Sequence, residues 1–377
     1  MFTRFLFFCF ISFSVCCACS AQTITYDTWQ KFSEQSLMPQ GVTLQNSNNN
    51  VDLIQFKGRY YVGFRTAPSH FASKKTRMYV VSSSDFKKWD FEYVVNTQSD
   101  LREPRFVEYH DSLFFYCFAG GTNWLKFEPR ELLVMATAGN KQWTIPSGFG
   151  MDGFVPWRLR VKDDRILLSA YYGKDLYNNK HQSDLRLFSS TDGRHYKPIS
   201  EEPQVNVKTA EEGEFIFDKS GTLYAVVRLE GYGDLICKAH KDSIDKWNYI
   251  RTKYKYDSAL LFEHNDDIYL ISRRNLDGVC DRSKEGKKPH RMHNLIRYSL
   301  TRKRTALFKL NKDDLSLTHL LDFPSTGDCS FPGIQKMNDT DYLVMNYSSD
   351  ISKREKNWLR GQEGKTYLYW TVLHINK

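Results

Sequence analysis

Three arginines stand at equivalent places in the sequence, each directly after a short apolar segment. Arg65 follows Val-Gly-Phe, Arg228 follows Ala-Val-Val, and Arg273 follows Leu-Ile-Ser. Two more, Arg102 and Arg158, lie at the beginning of other apolar segments. A guanidinium that leaves water needs an anionic partner, and its planar donors bind a carboxylate or a sulfate through paired hydrogen bonds. The pattern therefore predicts a group of arginines that binds an anion.

The alternative interpretation is that each arginine forms a separate structural ion pair. The acidic partners would be Glu103, Glu212, Glu214 and Asp257. The recurrence of three arginines at equivalent positions favours anion binding over this alternative.

Acidic side chains crowd the start of one apolar segment. Glu211, Glu212 and Glu214 occur together, and the last two would share one face of a strand because side chains alternate. Crowded carboxylates near a channel bind protons more tightly, which suits general acid and base catalysis. Asp328 and Glu103 lie at the start of two other segments. We select Glu212 and Asp328 as the catalytic carboxylates.

Histidine and tyrosine side chains supply the remaining candidates. His70 lies in a loop five residues after Arg65, where it could donate a proton, contact a substrate or play no part. Tyr171 and Tyr347 end the second strands of their own segments and could contact a sugar, act as bases or pack at the edge of the core. We expect His70 to be catalytic. Both tyrosines and all five arginines are the predicted substrate-binding residues.

The elements that would position these residues recur six times. Units of about fifty residues follow residue 50, and each contains short aromatic and β-branched runs bounded by turns. They open at Val51, Leu101, Pro156, Glu211, Tyr256 and Asp328. Such repeats are typical of a β-propeller, in which each unit is a four-stranded blade and its first strand lines a central channel. We predict an all-β, six-bladed β-propeller over residues 51–377, with its site at one mouth of the channel.

Helices are nearly absent from this prediction. The sequence shows no amphipathic helix of normal length outside short turns near residues 26–36. Residues 22–50 are interpreted as a linker, with a strand at 23–26 or at 42–44 that could complete the last blade and cover an open edge.

The beginning of the chain has the pattern of a signal peptide. Arg4 supplies the positive charge, residues 5–15 the apolar stretch, and residues 18–21 the small residues at which cleavage occurs. We assign the signal to residues 1–21. Three nearby cysteines leave a lipoprotein signal as an alternative, with Cys19 the best lipid acceptor. We expect a secreted or periplasmic protein, or a lipoprotein of the cell surface.

The four remaining cysteines, Cys117, Cys237, Cys280 and Cys329, match no zinc spacing. They could form up to two disulfides in an oxidising compartment or remain buried thiols. The sequence contains no metal or cofactor motif, so we expect neither, and we expect a monomer.

Positive charge is concentrated in the fifth unit. The formal net charge is +9, and part of it belongs to Arg282, Lys284, Lys287, Lys288, His290, Arg291, Arg297, Arg302, Lys303 and Arg304. For an exported protein this favours an anionic polysaccharide or cell surface as partner over nucleic acid. The alternative is a solvated basic loop on the edge of a blade.

Several of these motifs resemble those of a known family. The Phe-Arg-Thr-Ala-Pro run at 64–68 resembles the Phe-Arg-Ile-Pro opening of sialidases, and the turn from Asp85 to Trp89 resembles an Asp-box. A closer similarity is to secreted bacterial six-bladed proteins called sialidase-like, or BNR-repeat exo-α-sialidase-like. It covers about residues 50–375. The motifs that carry it are Asp100-Leu-Arg102-Glu-Pro104, Trp157-Arg158, Glu211-Glu212 with Arg228, Ser272-Arg273 and Gly327-Asp-Cys-Ser-Phe-Pro-Gly333.

The resemblance implies particular roles. Arg65, Arg228 and Arg273 would form the triad that binds a carboxylate, and Glu212 would assist the nucleophile. The family's nucleophilic tyrosine would lie where this chain has Asp328-Cys-Ser. The acid/base aspartate would follow Arg65, but residues 66–84 contain no aspartate, and His70 is the obvious titratable substitute.

We therefore expect a secreted carbohydrate-active enzyme, a glycoside hydrolase that acts on acidic, carboxylated or sulfated saccharides. A second hypothesis is a polysaccharide lyase, in which arginines neutralise a uronate and His70 or Tyr347 moves the proton. The third is a propeller that binds glycans without catalysis. This third hypothesis would be favoured if Glu212 and Asp328 were both held in ion pairs with no pocket between them.

Overall fold

The alternating aromatic and β-branched runs of the sequence form strands almost throughout. The computed structural model describes residues 22–123, 128–173, 184–281 and 291–376. Within these residues the chain is all-β, with the strands arranged as in a β-propeller. The predicted signal over residues 1–21 lies outside the described residues. The same is true of five basic residues of the fifth unit: Arg282, Lys284, Lys287, Lys288 and His290.

The first fourteen strands follow one another with short connections. The N-terminal part forms β1 (Thr23–Tyr26), β2 (Gln30–Lys31), a 3₁₀ turn (Gln35–Leu37), β3 (Ser47–Phe56), β4 (Arg59–Ala67), β5 (Arg77–Ser83) and β6 (Asp90–Val95). The next group is β7 (Asp100–Tyr109), β8 (Ser112–Gly120), β9 (Pro129–Thr137) and β10 (Ser147–Gly148). It is followed by β11 (Phe154–Lys162), β12 (Arg165–Tyr172), β13 (Leu185–Ser190) and β14 (Lys197–Pro198).

The remaining strands are interrupted by two helices. One group is β15 (Ala210–Phe217), β16 (Leu223–Leu229), β17 (Leu235–Ala239) and β18 (Asn248–Arg251). Next come β19 (Asp257–His264), β20 (Asp267–Asn275), helix α1 (Arg291–Leu300), β21 (Lys303–Leu310) and β22 (Leu317–Phe323). The last elements are β23 (Cys329–Lys336), β24 (Asp341–Ser349), helix α2 (Trp358–Glu363) and β25 (Thr366–Asn376).

The sheets differ from the predicted set of six separate blades. Four antiparallel sheets have four strands each: β7–β10, β11–β14, β15–β18 and β19–β22. All other described strands belong to one nine-stranded sheet. The prediction of six blades is therefore wrong, and the structure has four separate four-stranded blades. The physical reason is a parallel pairing of Thr366 with Ser47, which joins β23–β25 to β3–β6.

The two ends of the described chain meet in the nine-stranded sheet. Strand β1 pairs antiparallel with β25, with Thr23 opposite Asn376, and β2 pairs with the same strand further along. The segment before β3 therefore contributes strands that cover one side of β25.

Apolar side chains pack between neighbouring sheets. One such layer joins Tyr61 and Val80 of the nine-stranded sheet to Leu113 and Phe115 of β8. The approach is so close that a Cβ atom on Gly63 would lie 2.6 Å from the ring of Phe115, which only glycine avoids. This packing fixes the angle between adjacent sheets and so the positions of their inner strands.

One helix corrects the expectation of a chain almost without helices. Helix α1 has ten residues and was not predicted. Among the described residues, Cys117, Cys237, Cys280 and Cys329 are buried free thiols, as in the second of the two interpretations. No helix among the described residues is both long and apolar enough to cross a membrane.

Candidate functional site

A cavity of about 350 Å³ lies where the inner strands begin and the second strands end. Seven of the ten predicted site residues line it: His70, Arg102, Tyr171, Glu212, Arg228, Arg273 and Tyr347. Arg65, Arg158 and Asp328 are not among the lining residues. The prediction that polar residues of different units converge at one mouth agrees with this arrangement.

Bulges at the starts of the inner strands aim polar side chains into this cavity. The strand register shifts at Asn50 in β3, at Glu103 in β7 and at Glu212 in β15. Each of these residues has a left-handed backbone, with φ of 46°, 55° and 42° respectively. A non-glycine residue in this conformation costs about 1–3 kcal/mol, so the surrounding structure must enforce it. Asn50 lies in the segment that we interpreted as linker, because β3 begins at Ser47 and not at Val51.

Arg65 lies in the wall of the fold, behind residues that line the cavity. Its side chain is fully buried, and Nη2 donates to Oδ1 of Asp100 at 2.8 Å. Nη1 donates to Asn49 Oδ1, and Nη2 also donates to the carbonyl of Phe71. Arg65 therefore forms a structural ion pair and holds the loop that carries His70.

Arg158 has the same kind of structural role lower in the channel. Its Nε donates to Glu214 at 2.5 Å, and Asp52 lies 3.7 Å from its Nη1. Arg160 donates to the second oxygen of Glu214 at 2.8 Å. The predicted alternative of separate ion pairs describes Arg158, because Glu214 already satisfies its charge.

Arg102 contributes to both the wall and the cavity. Its Nε donates to Asp100 at 2.6 Å, and its Nη2 donates to the carbonyl of His70 at 2.9 Å. Asp100 thus accepts hydrogen bonds from two arginines, Arg65 and Arg102. Burial alone would raise the pKa of Asp100, but these positive charges hold it at about 2. Arg102 consequently orients the His70 loop at the edge of the cavity.

Arg228 lies among carboxylates at the start of β15. It donates to Glu212 and to Glu230 at 2.5 Å each, and Glu211 lies 3.4 Å away. The second oxygen of Glu212 accepts a hydrogen bond from the backbone of Ser258 at 2.9 Å. Glu212 is therefore held firmly at the cavity wall by one arginine and one backbone amide.

Two further carboxyl groups of the cavity bind protons unusually tightly. Burial raises the pKa of Glu103 to about 7, although Arg105 opposes the change, and Asn50 donates to its Oε1 at 3.1 Å. Burial also raises the pKa of Glu211 well above its ordinary value, against the charge of Arg228. Oε1 of Glu211 has no hydrogen-bond partner within the described part of the chain. A neutral carboxyl group near pH 7 can act as a proton donor.

Arg273 is placed differently from the other arginines. Its Nε donates to the carbonyl of Cys329 at 2.8 Å, and its Nη2 donates to the hydroxyl of Tyr347 at 3.3 Å. Among the described residues, the only carboxylate paired with it is Asp257, whose oxygen is 3.9 Å from Nη1. The ring of Trp358 lies 5.5 Å from the guanidinium carbon. Arg273 thus reaches the cavity with an incompletely satisfied charge.

Asp328 links His70 to Tyr347. One carboxylate oxygen lies 2.7 Å from Nδ1 of His70, and the other accepts from the hydroxyl of Tyr347 at 2.8 Å and from the indole of Trp358 at 3.2 Å. Burial alone would raise the pKa of Asp328, but His70, Arg273 and Tyr347 hold it below its ordinary value. Asp328 is itself fully buried behind these groups. It can therefore position His70 and Tyr347 and accept a proton from them, but it does not face the cavity.

Several residues that line the cavity are not among the site residues predicted from the sequence. Glu211 and Glu103 were noticed as acidic neighbours but not selected, and the bulges that expose them have no local sequence signature. Trp358 and Gln362 come from helix α2, which the sequence did not predict. Asn50 could have been found from the polar run before Val51, which contains three consecutive asparagines.

Comparison with solved structures places this fold among those of sialidases. The chain is similar to an endosialidase of phage phi92, with 10% identity, a TM-score of 0.62 and coverage of 93% of this chain and 69% of that one. Similarity to the Trypanosoma rangeli sialidase in complex with sialic acid has 11% identity and a TM-score of 0.59, and covers 93% of this chain and 58% of the trypanosomal chain. At these identities the likeness concerns the fold alone.

A protein of unknown function from Dyadobacter fermentans is similar over almost the whole of both chains. The identity is 14%, the TM-score is 0.64, and the coverage is 94% of this chain and 99% of that chain. No protein-family model and no curated protein sequence matches this chain.

Proposed function

We propose that the protein is a secreted carbohydrate-active enzyme, a sialidase-like glycoside hydrolase that acts on the end of an acidic saccharide. The observation that carries the proposal is the placement of Arg273, which lines the cavity while its nearest carboxylate partner stays 3.9 Å away. A carboxylate or sulfate of the substrate would complete its hydrogen bonding through two donors. The sialidase-like fold supports the choice of a glycan substrate.

The arginines that line the cavity would have different roles in substrate binding. Arg273 would bind the anionic group of the substrate. Arg228 already contacts Glu211, Glu212 and Glu230, so it would hold these carboxyl groups in place. Glu212 would then accept hydrogen bonds from sugar hydroxyls, with Tyr171 at the same wall.

Tyr347 and Glu103 would carry the chemistry. The Tyr347 oxygen would attack the anomeric carbon while its proton passes to Asp328, which lies 2.8 Å away. Glu103 would donate its proton to the leaving oxygen and then deprotonate the water that releases the sugar from Tyr347. Asp328 would return its proton to Tyr347 in that second step. His70, on the other oxygen of Asp328, would exchange protons with the cavity.

A polysaccharide lyase is the second candidate, and one contact favours it. Arg273 donates to Tyr347 in the same cavity that His70 lines, so a cation able to neutralise a uronate lies beside two groups able to move a proton. For non-catalytic glycan binding, only one of the two stated conditions holds. Glu212 and Asp328 are indeed in ion pairs, but a cavity lies beside them.

One set of assays separates these functions. The protein is incubated with sialosides and with uronate-rich polysaccharides, while released sugar and the ultraviolet absorbance of unsaturated uronates are followed. Sugar release without absorbance supports a hydrolase, absorbance supports a lyase, and binding without any product supports a lectin. The variant Arg273→Gln should lose activity on the acidic substrate.

The matched control is Arg274→Gln. Arg274 is the next residue in β20, but its guanidinium pairs with Asp322 at 2.6 Å and is not part of the cavity lining. This variant should keep full activity. If both variants lost activity equally, or neither did, the assignment of Arg273 to anion binding would be wrong.

A further inference from the structure

Helix α1 exposes an apolar stripe to solvent. Met292, Ile296 and Leu300 are spaced by four residues and lie on one face of the helix, with exposures of 69%, 55% and 55%. The opposite face is buried through Asn294 and Tyr298. A helix with large apolar residues on its outer face needs a further partner to cover them.

The contacts of α1 fix this outward orientation. Tyr298 donates to Asp257 at 2.5 Å, and Asn294 donates to the carbonyl of Gly231 at 3.0 Å. Lys303 donates to the carbonyl of Tyr298 at 2.7 Å in the last turn of the helix. These bonds hold one face of α1 against the fold, so the apolar stripe cannot turn inward without breaking them.

Helix α1, which carries the stripe, lies beside the cavity. Helix α1 is part of the connection from β20, which carries Arg273 into the cavity, and α2 occupies the corresponding connection after β24. The rings of Tyr298 in α1 and Trp358 in α2 are 5.7 Å apart, and Trp358 lines the cavity. Leu359, the next residue in α2, is also exposed, at 40%. We call the face formed by Met292, Ile296 and Leu300 the rim patch.

Basic side chains accompany the apolar stripe on helix α1 itself, which carries Arg291, His293 and Arg297 and no acidic residue. Lys353, Arg354 and Arg360 are exposed on and before α2. The acidic Glu355 in this segment is already paired with Arg302 and Arg304, and Glu363 is the other acidic residue there. The combination of large apolar side chains with neighbouring cations is that of a surface that lies at the interface of an anionic bilayer.

We propose that the rim patch docks on an anionic lipid bilayer and so brings the cavity close to the membrane surface. The apolar side chains would enter the boundary between head groups and acyl chains, while the basic residues contact anionic head groups. The substrate would then be an acidic saccharide attached to a membrane. This last statement rests on the proposed function, but the docking itself does not.

Vesicle co-sedimentation tests the docking directly. The protein is mixed with vesicles of phosphatidylcholine alone and with vesicles that also contain phosphatidylglycerol. We expect binding to the second kind, weakened by salt because the attraction of exposed charges is screened. The triple variant Met292→Ser, Ile296→Ser, Leu300→Ser should bind about tenfold more weakly, because it removes most of the apolar area that would be buried.

The matched control replaces three exposed apolar residues elsewhere. Ile145, Tyr249 and Ile250 have exposures of 84%, 46% and 41% and lie on the outer parts of two other sheets. Their serine variant should bind vesicles as the native protein does. Failure of the native protein to bind, or equal loss in both triple variants, would overturn the proposal. A dimer abolished only by the α1 substitutions would also overturn it, since the patch would then pair with a second copy.

Failure of the docking can be told apart from failure of the proposed function. The variant Arg273→Gln should keep vesicle binding and lose saccharide cleavage. If the native protein bound vesicles but cleaved no acidic saccharide, the docking would stand and the hydrolase assignment would fall. If it cleaved soluble saccharides but ignored vesicles, the reverse would hold.

Discussion

Arg65 and Arg273 occupy equivalent positions, two residues before the ends of β4 and β20, and both are buried, yet their contacts differ. Arg65 meets Asp100 at 2.8 Å, and its Nη atoms also donate to Asn49 and to the His70 loop. Arg273 meets its carboxylate partner only at 3.9 Å and lines the cavity. Position in the repeat therefore brings a guanidinium to the same end of the sheet in both cases. Whether it is available to a ligand depends on the carboxylate supplied by a neighbouring strand.

The first and largest expected effect concerns the stability role of Arg65. Replacement by methionine leaves Asp100 buried with one of its two arginines missing, which should lower the free energy of unfolding by about 3–5 kcal/mol. Urea denaturation monitored by tryptophan fluorescence measures this. A loss below about 1 kcal/mol, the range of an exposed pair, would show that Arg65 is not a structural ion pair.

The second prediction concerns Arg273 and is an effect on catalysis. Arg273→Gln should reduce kcat/KM on an acidic saccharide by about 100-fold, the size seen when one preorganised donor to a charged group is removed. Its unfolding free energy should change less than that of Arg65→Met, because Asp257 keeps Lys255 at 2.9 Å. A larger loss of stability than in the Arg65 variant would remove the distinction between the two arginines.

The third prediction concerns pH and Glu103. Folded Glu103 keeps its proton until about pH 7, whereas the unfolded chain releases it near the ordinary value of 4.5. The unfolded state therefore binds fewer protons in this window, and stability falls as pH rises through it. The contribution is about 3 kcal/mol between pH 4.5 and 7. Between pH 5 and pH 8 the free energy of unfolding should fall less for Glu103→Gln than for the native protein, and Glu211 should account for the fall that remains. If the pH dependence of the unfolding free energy were the same in both proteins, the prediction would be wrong.

The smallest effect is expected for Arg274. Its ion pair with Asp322 is partly exposed, so Arg274→Gln should change the unfolding free energy by about 0–1 kcal/mol and leave activity intact. The same denaturation and activity assays measure it. A marked loss of activity would mean that the two neighbouring arginines of β20 do not face different environments.

The sequence alone could predict the repeated strands and the end of the sheets at which polar residues gather. Strand alternation and regular spacing are local properties, and they point to Arg228, Arg273, Glu212 and Tyr347, whereas His70 follows from its place in the loop after Arg65. The pairing of Arg65 with Asp100 depends instead on a contact between β4 and the next sheet, which no local pattern records. The same holds for Thr366 and Ser47, whose pairing merges two groups of strands and changes the count of blades.

Helix α1 was missed for a different reason. Its apolar residues Met292, Ile296 and Leu300 have helical spacing but face solvent, while the polar Asn294 and Tyr298 face the fold. Because apolar side chains are usually assigned to the core, the sequence of this segment indicates an irregular basic loop instead of a helix. Asn50 and Glu103 were missed as cavity residues because their orientation depends on bulges that tertiary contacts enforce.

The pairing of β1 with β25 has a consequence for how the chain acquires its structure. Thr23 and Asn376 become neighbours although almost the whole described chain separates them, so this contact has a higher loop-closure cost than a hairpin and forms late. During synthesis, β1 can find its partner only when the last strand has left the ribosome. Until then β1 has an open edge to which another chain could add. A nascent or N-terminally trimmed chain should therefore aggregate more readily than the finished protein.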